Sequence, residues 1–241
     1  MRIAALGLFL AGWQWLGNDQ VPFSLPTFTR TMEALVDLAR DDLGPAFVRS
    51  NQALALGFGM ALAFSISLGA FMGLVNMASR VILPYVTVMV AVPTIALIPL
   101  VQSVFGLSLL ARAIVVFLFS FAYITNNTFV AVSGVRADLK EMATSFGAKR
   151  RALIRHVIMP ASVPGVLAGV RLGLGRALVG MVIAELTLVG AGIGSLLAEA
   201  QGRVRLPVLM AISMAVVIEG ALLMGIVGMS EKRFTRSSGK S

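Results

Sequence analysis

Gly134-Val-Arg-Ala-Asp-Leu-Lys-Glu-Met-Ala-Thr-Ser-Phe-Gly-Ala-Lys-Arg-Arg-Ala-Leu-Ile-Arg-His-Val-Ile-Met-Pro160 is a strongly basic stretch set between two long apolar blocks. From Ala137 to Phe146 it consists of good helix formers, and Leu139, Met142, Ala143 and Phe146 recur at the three- and four-residue spacing that gives a helix one apolar face. Gly147 predicts the end of that helix, because glycine enters the left-handed conformation of a C-terminal turn without a Cβ clash. A second amphipathic turn is expected over Ala148 to His156. Pro160 suits the start of the helix that follows, where its missing N–H would have no intrahelical partner. Two short helices held at an angle form a rigid knob that can transmit force, which a loose linker cannot.

The flanking blocks define the solvent of the chain. Of its 241 residues 58% are apolar and 13% charged, with a mean hydropathy of +0.90. Soluble domains carry roughly 25% charged residues. The net charge of +9 does not read as a nucleic-acid footprint, since the cations fall in short segments between apolar blocks without interleaved aromatics. No cysteine and one histidine exclude disulfide frameworks, thiolate metal sites and cysteine nucleophiles.

A spanning helix needs about 20 mainly apolar residues, because backbone polar groups in lipid must be satisfied within the segment. Six candidates meet this: roughly 2–17, 52–75, 82–105, 109–132, 163–190 and 207–228. Arg2 and the apolar run after it also suit a signal peptide. With no clear small-residue cleavage site, and with Trp13 and Trp15 placed as interface anchors, a retained helix is expected. Lysine and arginine enrichment marks cytoplasmic flanks. An inward N-terminus puts Arg80, the cluster Arg136, Lys140, Lys149, Arg150, Arg151 and Arg155, and the tail Lys232, Arg233, Arg236 and Lys240 on one side. Both termini and the 134–160 loop are then cytoplasmic, and the 18–50 segment is external. Within that segment Leu25-Pro-Thr27 precedes Met32, Leu35, Val36, Leu38 and Ala39, the pattern of a short amphipathic surface helix. The expected fold is an all-α integral membrane protein, a single domain over 1–241 of about six spans with a two-helix cytoplasmic loop.

The loop resembles the signature of binding-protein-dependent ABC transporter permeases, which reads Glu-Ala-Ala, three residues, glycine, nine residues, isoleucine, one residue, Leu-Pro. Glu141, Ala143, Gly147 and Pro160 match it at every interval; Met142, Val157 and Met159 depart from it only in residue type. Roughly residues 25–236 resemble the nitrate, sulfonate and taurine branch, through Leu25-Pro-Thr27, Val92-Pro-Thr-Ile-Ala-Leu-Ile-Pro99, Leu167-Ala-Gly-Val-Arg-Leu172 and Val182-Ile-Ala-Glu-Leu186. The resemblance implies a permease subunit of a bacterial inner-membrane importer, paired with a second permease copy, cytoplasmic ABC ATPase subunits that bind ATP and Mg, and an external substrate-binding protein. It implies that Glu141, Met142, Ala143, Gly147, Val157, Met159 and Pro160 couple to the ATPase. Relatives of this architecture carry anions such as sulfonate, taurine or nitrate, but also neutral and cationic nutrients.

No Gly-x-x-x-x-Gly-Lys-Ser/Thr phosphate loop is present, so the chain needs no cofactor of its own and its energy comes from a partner. It has no nucleophile elbow or zinc-protease motif, and His156 has no acid or nucleophile paired with it in sequence; it is not read as an enzyme. Lys149, Arg150, Arg151 and Arg155 also fit a topology signal that touches anionic lipid. Glu185 and Glu219 lie in apolar stretches, where a carboxylate must pair, neutralise or meet water. They could line a permeation path, bond between helices, or serve proton coupling in a small secondary transporter, the alternative function. Pro93, Thr94 and Pro99 sit where each proline removes a backbone donor, so a kink in the third span is expected, facing a cavity or purely structural.

Overall fold

The computed structural model describes residues 2–19, 25–188 and 192–238. Among them the regular elements are all helical: α1 Arg2–Asp19, α2 Phe28–Asp41, α3 Leu43–Leu74, α4 Asn76–Ala91, α5 Ile98–Phe105, α6 Leu109–Ser133, α7 Ala137–Ser145, α8 Arg150–Leu153, α9 Met159–Thr187, α10 Ile193–Gly202 and α11 Leu206–Ser238. A 3-10 turn occupies Thr94–Leu97 and a π segment Ile154–Ile158.

Four stretches are long and apolar enough to cross a membrane: Leu43–Leu74, Leu109–Ser133, the unbroken run Arg150–Thr187 and Leu206–Met229. This is a multi-pass membrane protein. The expected third span divides into α4 and Thr94–Phe105, bent by 95°. Counting that pair as one span gives five among the described residues, against the six expected. The difference lies in α1. It is helical, but Gln14, Asn18 and Asp19 in its second half leave it short of the sustained apolar run a span needs.

The bend follows from the prolines. Val92 precedes a proline and is extended, at φ −68° and ψ 131°, and Pro93 follows at ψ 92°. The Ala96 N–H donates to Pro93 O at 2.9 Å in the tight turn, and Pro99 then sits in the first turn of α5, where its lost donor is harmless. The kink is sharper than a proline in a continuous helix produces.

Contacts divide the chain into two compact units, Met1–Gln52 with Glu185–Ala221, and Ala53–Ala184 with Leu222–Ser241. In the second, α6 is the axis. Along α3, a Cβ at Gly57, Gly69 or Gly73 would fall 2.3, 2.6 and 2.7 Å from atoms of Ala113, Thr125 and Val132. Along α9, a Cβ at Gly165, Gly169 or Gly173 would fall 2.6, 2.6 and 2.3 Å from Ala131, Asn127 and Ile124. Backbones this close need glycine, and lipid offers packing but no hydrophobic drive between helices. Contacts ascend together in the first pair and oppose in the second, so α3 runs parallel to α6 and α9 antiparallel. A chain threading back and forth requires this order. Leu54, Val116, Leu174, Leu178 and Met181 fill the core around the seam.

In the first unit, Trp13 Nε1–H donates to Pro26 O at 3.0 Å and ties α1 to the start of α2. Thr27 caps α2, its hydroxyl accepting from Arg30 N–H at 3.3 Å. The amphipathic helix expected after Leu25 is therefore present. Ala46, Ile193, Ala200 and Ile212 form the core, which α2 joins through Leu38.

Candidate functional site

The basic stretch folds as a helix, a tight turn and a second helix. Arg136 precedes α7 and its Nε–H donates to Asp138 Oδ1 at 3.0 Å; the second guanidinium nitrogen bonds Oδ2. The bond and the charge of Arg136 hold the Asp138 carboxyl below the usual carboxylate range, and Asp138 raises Arg136 in return. Thr144 and Ser145 hydroxyls donate back to Glu141 O at 2.8 and 3.0 Å. Gly147 stands at φ +81°, its N–H donating to Thr144 O at 2.9 Å while Ala148 N–H donates to Ala143 O at 3.0 Å. That bond pair is the Schellman motif, and it closes the end of α7 as the glycine implied.

The second limb differs from expectation. It is not a separate turn over Ala148 to His156: α8 starts at Arg150 and runs without a break into α9. Pro160 therefore does not open the span but lies inside a helix already under way. The π segment accommodates it. Met159 N–H donates to Ile154 O, five residues back, just before the proline whose nitrogen cannot donate to His156 O. His156 Nδ1–H donates to Ala152 O at 3.1 Å on an exposed surface.

Val132, Val135 and Ile158 form the buried base of the hairpin, packed with Ala70, Leu74, Leu153 and Ile154. Leu139 and Ala143 are half-buried, whereas Met142 is 54% and Phe146 86% exposed. The apolar face of α7 is thus divided, and its two largest side chains, one turn apart, point away from the chain. Glu141 and Gly147 are exposed beside them, as are Met159 and Pro160; Val157 is half-buried.

The carboxylates take different places. Glu185 has no exposed surface. Its Oε2 accepts from Ser50 Oγ–H at 2.8 Å and from Gly194 N–H at 3.0 Å, and Ser50 Oγ accepts from Ile193 N–H at 2.9 Å. The carboxylate so holds the first turn of α10, satisfying orphan helix donors. Gly192, at φ +92°, passes so near that a Cβ would lie 2.3 Å from Oε1. Glu219 is half-buried and accepts from Asn51 Nδ2–H at 2.5 Å. Pro93 and Pro99 are exposed at the two sides of the bend, with Thr94 half-buried between them. The structure keeps these three together and does not bring Glu185 to an open surface.

A rigid exposed knob feeding directly into a spanning helix is the arrangement the signature spacing implied, and comparison with known sequences decides the family. The family described as binding-protein-dependent transport system inner membrane component matches residues 56–236. The chain belongs to that family. A protein of Brucella melitensis described as a probable ABC transporter permease is 30% identical, over 98% of both chains. The nitrate import permease of Synechococcus elongatus is 28% identical over 80% of this chain and 73% of its own, and the taurine transport permease of Escherichia coli 27% over 83% and 76%.

In this permease, sequence reasoning located the hairpin and its glycine but missed three features. Ile158, buried between the half-buried Val157 and the exposed Met159, anchors the second limb. The partners of Glu185 and Glu219, Ser50 and Asn51, stood at the outer end of the expected second span, level with the outer end of the fifth, and that shared depth was the available signal. α10 is not legible in the sequence because residues 193–202 are too few to span.

Proposed function

We propose that this permease forms the translocation path of an ATP-driven importer for a small anion such as a sulfonate, taurine or nitrate. It works as a pair with a second permease copy in a bacterial inner membrane, both termini cytoplasmic. Cytoplasmic ABC ATPase subunits hold ATP and Mg and seat the α7 knob, while an external binding protein delivers the solute. Glu141, Met142, Ala143 and Gly147 meet the ATPase, and Val157, Met159 and Pro160 carry the motion into α9.

What carries this reading is the exposed pair Met142 and Phe146 on a helix whose end is locked by the Gly147 turn and whose second limb continues into a span. Movement of the knob has no flexible joint in which to dissipate before α9. The relatives that import nitrate and taurine support the anionic cargo. A proton-coupled carrier working through Glu185 and Glu219 draws no support from a Glu185 consumed in clamping α10.

The test is purification with the partner ATPase. Glu141→Lys and Gly147→Pro are expected to abolish co-elution of the ATPase while each variant elutes as a folded species. Unchanged co-elution after both substitutions would contradict the proposed dock.

A further inference from the structure

We propose that Arg171 and Arg176 are the anion-contacting residues of the translocation path, held at mid-membrane depth on an open face of α9. The inference rests on the importer reading above and gives the solute its place in the chain.

Depth comes from the helix register. α6 has 25 residues, about 37 Å at 1.5 Å per residue, enough for one crossing. Gly173 of α9 meets Ile124, and Gly180 meets Phe119. The Arg176 guanidinium lies over the Tyr123 ring, 4.6 Å from its centre, beside the midpoint of α6. Arg171 lies five residues toward the hairpin, about 7.5 Å lower along the axis. From Val157 to Ala184 these are the only charged residues.

The glycine face of α9 is spent on α6. The other face carries Ala168, Arg171, Leu172, Gly175, Arg176 and Val179, at the spacing of one helical stripe, and with Met224 of α11 they line a cleft of about 610 Å³. A Cβ at Gly175 would fall 2.7 Å from Met224 Cε, so the tip of the Met224 side chain rests against α9 at this glycine and closes the cleft on that side. Both arginines are exposed on this face, as are Leu172 at 56% and Val179 at 48%.

A guanidinium turned toward hydrocarbon is costly, so charged residues at this depth face water or protein. Mostly apolar walls with two fixed cations match what a small anion needs: exclusion of bulk water and a few oriented donors. The planar guanidinium presents a fork of N–H donors to the flat oxygens of nitrate or two oxygens of a sulfonate. The cation–π contact with Tyr123 holds the Arg176 guanidinium at this depth.

Because the chain contains no cysteine, an introduced cysteine is the permease's single thiol, and labelling is read on the permease band. Leu172→Cys and Val179→Cys, in vesicles holding the complete importer, are treated with a sulfonate-bearing and an ammonium-bearing water-soluble thiol reagent. The sulfonate reagent is expected to react faster by about tenfold, with the preference lost in Arg171→Gln and Arg176→Gln backgrounds. Reaction with neither reagent, or preference for the ammonium one, overturns the proposal. In parallel, ATP-driven uptake of nitrate and of taurine is measured. With either anion carried by the wild type, Arg→Gln variants are expected to slow uptake about tenfold while Arg→Lys variants recover part of it and ATPase co-elution stays intact. Uptake within twofold of wild type, or loss of permease pairing in the Gln variants, also overturns it. If the wild type carries neither anion yet the reagent preference holds, the anion-contacting face stands and the cargo named in the functional proposal is wrong.

Discussion

Gly147 and Glu185 show how single residues serve this protein in opposite ways. Gly147 has open space around it, no atom lying within 4 Å of where a Cβ would stand, so its value is conformational alone. Gly147→Ala is expected to cost about 1–2 kcal/mol locally, the penalty of a left-handed alanine, seen as faster amide exchange in α7 with little change in the unfolding of the spans. Glu185 is the reverse, a side chain enclosed by its partners. One oxygen accepts both Ser50 Oγ–H and Gly194 N–H. An amide oxygen can do the same, so Glu185→Gln is expected to retain transport and to be less disruptive than removal of the side chain. Glu185→Ala strands buried donors and is expected to cost about 1–3 kcal/mol in a detergent unfolding assay. A carrier that moved protons on Glu185 would instead be silenced by the glutamine. Asp138 is exposed and the bond from Arg136 holds its carboxyl below the usual range, so the pair is intact above the ordinary aspartate range and is lost only as pH falls through the lowered value. NMR titration of Asp138 should show that lowered midpoint, and Arg136→Ala should return it to the ordinary range.

At the scale of elements, the hairpin and the α6 seam were unequally legible. Helix periodicity and Gly147 marked α7 to within a residue because both are local properties of the chain. The second limb is less legible because a proline usually marks a boundary, whereas here the π segment absorbs Pro160 and continuity survives. Glycine spacing suggested close packing, but which helix would fill the space is a tertiary fact. That fact can be tested at Gly173, where a Cβ would lie 2.3 Å from Ile124 Cγ1. Gly173→Val is expected to destabilise the protein by about 1–3 kcal/mol through overpacking, measured by thermal unfolding in detergent. Ile124→Ala in the same background should recover part of the loss, since it vacates the space the valine needs.

For the whole molecule, composition alone assigned the bilayer, and apolar runs located all four long spans, because lipid demands an unmistakable length of uncharged helix. What escaped were contacts between residues distant in sequence, such as Ser50 with Glu185 and Tyr123 with Arg176, which hydropathy does not encode. In the proposed mechanism the ATPase's closure reaches the path through α7, where Phe146 is 86% exposed. The most direct measurement is ATP-driven uptake in vesicles reconstituted with this permease, its ATPase and its binding protein, comparing wild type with Phe146→Glu. The account predicts at least about a tenfold loss of uptake, equivalent to about 1.4 kcal/mol of docking, in a variant whose unfolding is unchanged. Uptake at the wild-type rate with a charge at position 146 would contradict it.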